Sequence, residues 1–153
     1  MTDIAITQLK TAKPTDVQAI GALVTQLSST EPGFSLGNLK AMLADPSTTI
    51  FVARANEEIV GMTTLVIFRV ATGLRAFIDD VVVMTTHQKR RLGERLVRAA
   101  INHATSHGIE KIDLTSRPSR ETANRLYQRM GFERRETNVY RLKLKAGVVS
   151  PEP

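Results

Sequence analysis

The chain has 153 residues, of which 42% are hydrophobic and 24% charged, and no cysteine. That length suits one domain with a buried core rather than two, and the missing cysteines exclude disulfides and thiolate metal sites. A formal charge of +6 and a sequence pI of about 10.1 favour anionic partners and say nothing about fold.

No apolar run approaches the roughly 20 residues that span a bilayer. The opening MTDIAITQLK lacks the basic region and apolar stretch of a signal peptide. The default expectation is a cytoplasmic location and no membrane partner. Most of the Lys and Arg residues lie from Lys89 onward, so an anion is to be sought in the second half.

In chain order, DIAITQL alternates apolar and polar residues and predicts a short strand. KPTDVQAIGALVTQLSS predicts a helix capped by Thr15 or Asp16, with Ile20, Leu23, Val24 and Leu27 on one face. EPGFS reads as a turn and LGNLKAMLAD as a second helix. TTIFVARA and EIVGMTTLVIFRV predict strands around an NEE turn, and ATG leads into the strand LRAFIDDVVVM. Arg91 to His107 predicts a helix, with Leu92, Leu96, Ala100 and Ala104 at helical spacing and Gly108 as its stop. IEKIDLTS predicts a strand. Pro118 and Ser119 open a further helix that ends at Gly131. FERR and NVYRLKLK predict a last strand pair, with Tyr140, Leu142 and Leu144 on one face. AGVVSPEP, residues 146–153, reads as a flexible tail, which leaves one domain over residues 1–145.

The order β-α-α-β-β-β-α-β-α-β-β predicts an α/β (α+β) fold with one mixed sheet of about seven strands and helices on both faces. An antiparallel meander gives way near Val83 to a strand–helix–strand unit, which makes a parallel crossover.

At that joint, THQKRRLGERL packs Lys89, Arg90, Arg91 and Arg95 around Gly93. A helix N-terminus offers unpaired N–H groups and a partial positive charge, so a strand feeding into it can cradle a phosphate. The same residues could form an ordinary solvated helix start or a patch for nucleic acid. Against the latter, the leucines are spaced for core packing, and no aromatics interleave with the basic residues to stack bases. His103 and His107 stand four apart, but no third ligand is evident, so no metal is expected.

The joint resembles the acetyl-CoA-binding motif of the GNAT N-acetyltransferase superfamily, in which a strand ending in valine is followed by a short turn and Gln/Arg-x-x-Gly-x-Gly/Ala. Here Val83 is followed by MTTH and then by Gln88, Lys89, Arg90, Arg91, Leu92 and Gly93. Gln88 and Gly93 match. Arg91 stands at the usual middle glycine, and Lys89 where many members have another. Arg91 should therefore adopt a conformation open to any L-residue, already helical. ANRLYQRMGF is similar to the family's second signature through Ala123, Leu126, Tyr127, Gly131 and Phe132. Arg120 stands where the family often has an asparagine.

The resemblance implies acetyl transfer from acetyl-CoA to a primary amine by direct attack, with no metal. The acceptor would be a small molecule or a peptide, not nucleic acid, and a homodimer is favoured. It implies CoA contacts at Val81, Val82, Val83, Gln88, Lys89, Arg90, Arg91, Leu92, Gly93, Glu94, Arg120, Asn124 and Tyr127. It aligns Asp79 with the strand carboxylate that serves as base, acting through a water because aspartate is short. Tyr127 would be the acid toward the thiolate. By strand alternation Phe77, Asp79, Val81 and Val83 share a face, which leaves Asp80 to cap or to pair with an arginine. Two alternatives stand beside this reading: a nucleic-acid-binding module built on the basic second half, and an acyl-CoA-binding domain without catalysis.

Overall fold

The computed structural model describes residues 3–28 and 33–145. Five strands form one sheet in the order β1-β2-β3-β4-β5: β1 (Ile4–Gln8), β2 (Thr48–Ala55), β3 (Glu58–Val70), β4 (Gly73–Val83) and β5 (Ile112–Asp113). The first four run antiparallel, and β5 lies parallel to β4 after the crossover through α3 (Leu92–Ser106). The mixed sheet is as the element order predicts.

Alternation along β2 divides the core in two. Ile50 and Val52 face α1 (Pro14–Leu27) and α2 (Leu36–Ala44), burying Ile20, Leu23 and Leu39. Phe51 and Ala53 face α3 and α4 (Glu121–Arg129), burying Leu92, Leu96, Val97, Ala100 and Tyr127. Helices therefore cover both faces, because β2, β3 and β4 carry apolar residues at both parities.

Local chemistry explains the helix starts, and two differ from expectation. Pro14, whose fixed φ suits the first helical position, opens α1 with Lys13 as N-cap. Asp16 is thus not a cap. It is buried in the first turn and receives both guanidinium nitrogens of Arg54, at 3.0 and 3.2 Å. The second departure is α4, which starts at Glu121 with Arg120 as N-cap rather than at Pro118. Ser35 caps α2 through a reciprocal bond pattern with Asn38.

The last strand pair does not form. Residues 133–145 are exposed and belong to no strand, so the sheet has five strands among the described residues instead of about seven. A strand needs a ladder partner, and no main-chain hydrogen bond joins 133–145 to the rest of the described chain. The tail at 146–153 and part of the EPGFS turn lie outside the described residues.

Candidate active site

The site begins where β4 and β5 part. They pair only through Ala76 with Ile112 and Phe77 with Asp113. From Ile78 to Val83, β4 has no strand beside it on that side among the described residues, so its main chain offers an open edge. This is also where the antiparallel meander turns parallel, and ligands of α/β sheets bind beyond strand C-termini at such switch points.

A bulge interrupts β4 on its other side. Met62 pairs with Val82 and Thr64 with Asp79, so Asp80 and Val81 together stand opposite Thr63. Asp80 takes the left-handed conformation, with φ 54°. The extra residue shifts the side-chain phase. Ala76 and Ile78 face α3 before the bulge, Val81 and Val83 pack on that same core after it, and Val82 faces α1 and α2. The expectation that Phe77, Asp79, Val81 and Val83 share a face is therefore wrong, since simple alternation does not survive an inserted residue.

Both carboxylates are held locally. Asp79 is exposed, and its Oδ1 accepts the Asp80 N–H at 2.8 Å. The Thr63 hydroxyl donates to the Asp79 carbonyl at 3.2 Å. Asp80 is half-buried, and its Oδ2 accepts from the Thr64 hydroxyl at 3.0 Å. Desolvation raises the Asp80 pKa above the ordinary carboxylate value, the charge of Asp79 adds to this, and the Thr64 bond opposes it. Asp80 neither caps a helix nor meets an arginine, because the bulge turns it toward a buried hydroxyl instead.

Beyond Val83 the chain is pinned and then opened. Met84 N–H donates to the Val60 carbonyl at 2.8 Å. The Val83 carbonyl accepts from the Gln26 amide of α1 at 2.8 Å and from the Gln88 amide at 3.2 Å. Gln88 thus ties the loop to the strand and is not a free rim donor. After a turn of 3₁₀ helix at Thr85–His87, Lys89 and Arg91 both take left-handed conformations, with φ of 68° and 58°. Arg91 is the N-cap of α3, not a helical residue. The backbone has kept the shape that glycine makes easy and has placed two cations in it.

Left-handed residues on either side of Arg90 turn successive N–H groups into a concavity that suits an anion. The first intrahelical bond of α3 runs from Arg95 N–H to the Arg91 carbonyl. The amides of Leu92, Gly93 and Glu94 therefore stay free, and no side chain caps them. The side chains of Lys89, Arg90 and Arg91 are exposed around them. Gly93 has ordinary dihedrals. A Cβ there would meet only Leu126 Cδ2 of α4, at 3.4 Å, an ordinary contact. The Glu94 carboxylate points to Arg129 of α4, 3.5 Å away.

Tyr127 projects from α4 into the α3-side core, and its ring meets Phe132 edge-on at 5.9 Å. Burial raises its pKa, the charge of Arg120 lowers it, and that of Asp79 raises it again. Asn124 spends its amide on the Arg117 carbonyl, at 2.9 Å, and so holds the turn before α4. His103 and His107 stack on each other at 4.4 Å between ring centroids, with Phe51 against His103.

One polar atom went unread in the sequence. The Ser116 hydroxyl, just past β5, is buried without a hydrogen-bond partner. The signal was available: hydroxyl residues directly after a parallel strand, in TSRPS, at the carboxyl end of the sheet. Buried polar atoms are normally satisfied. An orphan here, just past the point where β5 parts from the open edge of β4, fits a ligand with polar groups along its length. A pantetheine arm ending in a pyrophosphate has that form.

The open edge of β4 leading into the uncapped N-terminus of α3 suits a ligand that carries phosphate. Comparison with known proteins agrees. The profile of the acetyltransferase (GNAT) family matches residues 21–132. An uncharacterized N-acetyltransferase of Bacillus subtilis (strain 168) is 27% identical over 132 residues, covering 82% of this chain and 89% of its own. An acetyltransferase of Trypanosoma brucei superposes with a TM-score of 0.77 at 25% identity, over 93% of this chain and 100% of that one. An aminoglycoside N-acetyltransferase solved in complex with CoA shares the fold with a TM-score of 0.79 at 19% identity, over 94% and 96% of the two chains. The chain belongs to the GNAT acetyltransferase family and is an N-acetyltransferase. Among the described residues, no helix is long and apolar enough to cross a membrane, and no group of three or more His, Cys, Asp or Glu is placed to hold a metal.

Proposed function

We propose that residues 1–145 act as one domain that moves an acetyl group from acetyl-CoA to the primary amine of a small molecule or peptide by direct attack. The observation that carries this is the open edge of β4 running into the uncapped N-terminus of α3, with Tyr127 in the adjoining core. Acetyl-CoA supplies the activated thioester. The main-chain groups of Val81 and Val82 and the Val83 N–H, whose carbonyl is already engaged by Gln26 and Gln88, hold its arm along the strand edge. The amides from Lys89 to Glu94 hold its pyrophosphate, and Lys89, Arg90 and Arg91 add charge at the rim. Arg120, the N-cap of α4, and the Ser116 hydroxyl add polar groups ahead of that helix.

Asp79 takes the proton of the attacking amine. One of its oxygens is engaged by the Asp80 N–H, which fixes the carboxylate and leaves the other free. Tyr127, which burial keeps protonated, gives its proton to the departing sulfur. The aminoglycoside acetyltransferases among proteins of this fold support a small polyamine as acceptor.

The test exploits the absence of cysteine, since a thiol-reactive dye then reads only the CoA released. Parent protein with acetyl-CoA and a panel of amines should release thiol only when an acceptor is present. Asp79→Asn should lower kcat by about 10²–10⁴ with CoA affinity unchanged. Near-normal turnover would remove Asp79 from the role. Failure to bind CoA saturably at moderate salt would return the basic loop to the nucleic-acid reading.

A further inference from the structure

One face of the β3–β4 hairpin is apolar and belongs to neither core. Directly opposed residues of a sheet share a face, so the register groups Thr64, Val66, Phe68 and Val70 of β3 with Asp79, Phe77, Arg75 and Gly73 of β4. Thr64 also stands opposite Ile50, which packs with α1 and α2. This face is therefore the α1 and α2 side of the sheet. The cover stops short: the core under those helices takes in Ile50, Met62 and Val82 but none of Val66, Phe68, Val70 and Phe77. The α3-side core omits them as well, since Leu65, Ile67, Ala76 and Ile78 are its share of the hairpin. Val66 and Phe77 are half-buried, and Phe68 and Val70 are 39% and 40% exposed.

These side chains make a wall beside Asp79. Phe77 stands two residues before it on the same face, about 7 Å away along the strand, and Val66 lies directly across from Phe77. Phe68 extends the wall by one more pair, opposite Arg75. Charge orders the same surface. Asp79 and Asp113, which pairs with Phe77 where β4 meets β5, put negative charge at one end, and Arg75 puts positive charge at the other. A cationic amine is drawn to the aspartate end and turned away from Arg75. What lies over the phenyl rings is then the body that carries the amine. A hydrocarbon body gains there by leaving water. A hydroxylated one gives up hydrogen bonds to water that Val66, Phe68 and Phe77 cannot replace.

We infer that the acceptor carries its primary amine on an unbroken hydrocarbon body, aryl or alkyl, and that Val66, Phe77 and Phe68 set the preference among amines by receiving it. This rests on acetyl transfer at Asp79, and it narrows the acceptors of that reading to those without a hydroxylated frame.

The test compares 2-phenylethylamine with ethanolamine, a primary amine that has no apolar body, and with an aminoglycoside. With acetyl-CoA, 2-phenylethylamine should give kcat/KM at least about tenfold above either. Phe68→Thr changes an exposed strand position and should raise the KM for 2-phenylethylamine about three- to tenfold, with CoA affinity and the ethanolamine reaction as in the parent. Leu74→Thr is the control: Leu74 is 36% exposed on the opposite face of the same hairpin, so its loss should change none of these. Isothermal titration of 2-phenylethylamine into the CoA-loaded protein reads the wall without turnover. Binding that Phe68→Thr weakens and Leu74→Thr spares would uphold the wall even if no amine were acetylated, and only the reaction at Asp79 would then fall. The inference is overturned if ethanolamine or the aminoglycoside is the better acceptor, if the two threonine variants behave alike, or if 2-phenylethylamine neither binds nor reacts.

Discussion

Arg91→Gly tests the phosphate cradle at its most unusual residue. Arg91 holds φ 58° and ψ 23°, a conformation that costs an L-residue about 1–2 kcal/mol. Glycine removes that cost but loses about 0.4–1 kcal/mol through its freer unfolded state. The net expectation is a stabilisation of about 0.5–1 kcal/mol, or about 1–4 °C in Tm for a chain of this size. The guanidinium contributes little to set against this. The side chain is exposed, makes no capping bond, and joins neither of the ion pairs found among the described residues. If the grip on the pyrophosphate comes from amides and the helix dipole, CoA affinity should change by no more than about fivefold, the worth of one exposed charge. Arg91→Ala serves as control, because it loses the charge while keeping the left-handed backbone. It should match Arg91→Gly in CoA affinity and fall below it in Tm. Differential scanning calorimetry and isothermal titration with CoA read both quantities on the same samples. The reasoning is refuted if Arg91→Gly melts below the parent. It is refuted equally if glycine and alanine both weaken CoA by more than about tenfold, about 1.4 kcal/mol, which would mean that the guanidinium binds a phosphate directly.

Three further expectations concern other parts of the molecule. Tyr127→Phe removes only the hydroxyl, so turnover should fall while Tm barely moves, and unchanged turnover would make Tyr127 a core residue alone. Because burial raises the phenol pKa above 10.0, the rate should hold through neutral pH and fall only above that value, and Arg120→Gln should move the fall further up. Asp80 has a raised pKa in the fold, so the fold favours its neutral form; its stabilising contribution is complete below 3.8 and is lost as pH rises through the folded value. Asp80→Asn, which tolerates the left-handed turn and can keep the Thr64 bond, should therefore raise Tm at pH 7 but not below pH 3.8; a lower Tm at pH 7 would show that the charge itself is needed for the fold. Arg54→Met strands Asp16, which is 2% exposed, and should cost about 3–5 kcal/mol in thermal unfolding, whereas a loss below about 1 kcal/mol would mean that the pair behaves as a surface contact.

Much of the fold is readable where the chain repeats a period. The meander, the crossover and the apolar face of α3 follow from alternation and from Leu92, Leu96, Ala100 and Ala104. The joint from Val83 to Gly93 is readable as a place to look, because a strand, a basic turn and an amphipathic helix adjoin there. The bulge is not, since VVV at positions 81–83 is apolar at both parities and conceals a change of phase. The Arg91 conformation is hidden for a related reason: nothing about an arginine announces that its backbone has been forced into the shape of the glycine it replaces. Ser116 needed the knowledge that β4 and β5 separate after one residue pair beyond Ala76, which only the structure supplies. The C-terminal alternation reads as a strand pair, but residues 133–145 form no strand, because alternation alone does not supply a ladder partner.

The bulge at Asp80 also changes what kinds of error the strand can survive. A substitution at Val81, Val82 or Val83 alters one contact, and a neighbouring side chain can adjust to it. Loss of Asp80 would let Asp79, Val81, Val82 and Val83 alternate simply against Thr64, Thr63, Met62 and Gly61, with the three valines on the faces they already occupy. The left-handed turn would go, with the bond to Thr64 and the N–H that Asp80 lends to the Asp79 carboxylate. The sheet would be spared and the carboxylate beside the bulge would lose its anchor. Folding and the set of one side chain can thus be separated by a residue that contributes nothing to the hydrophobic core.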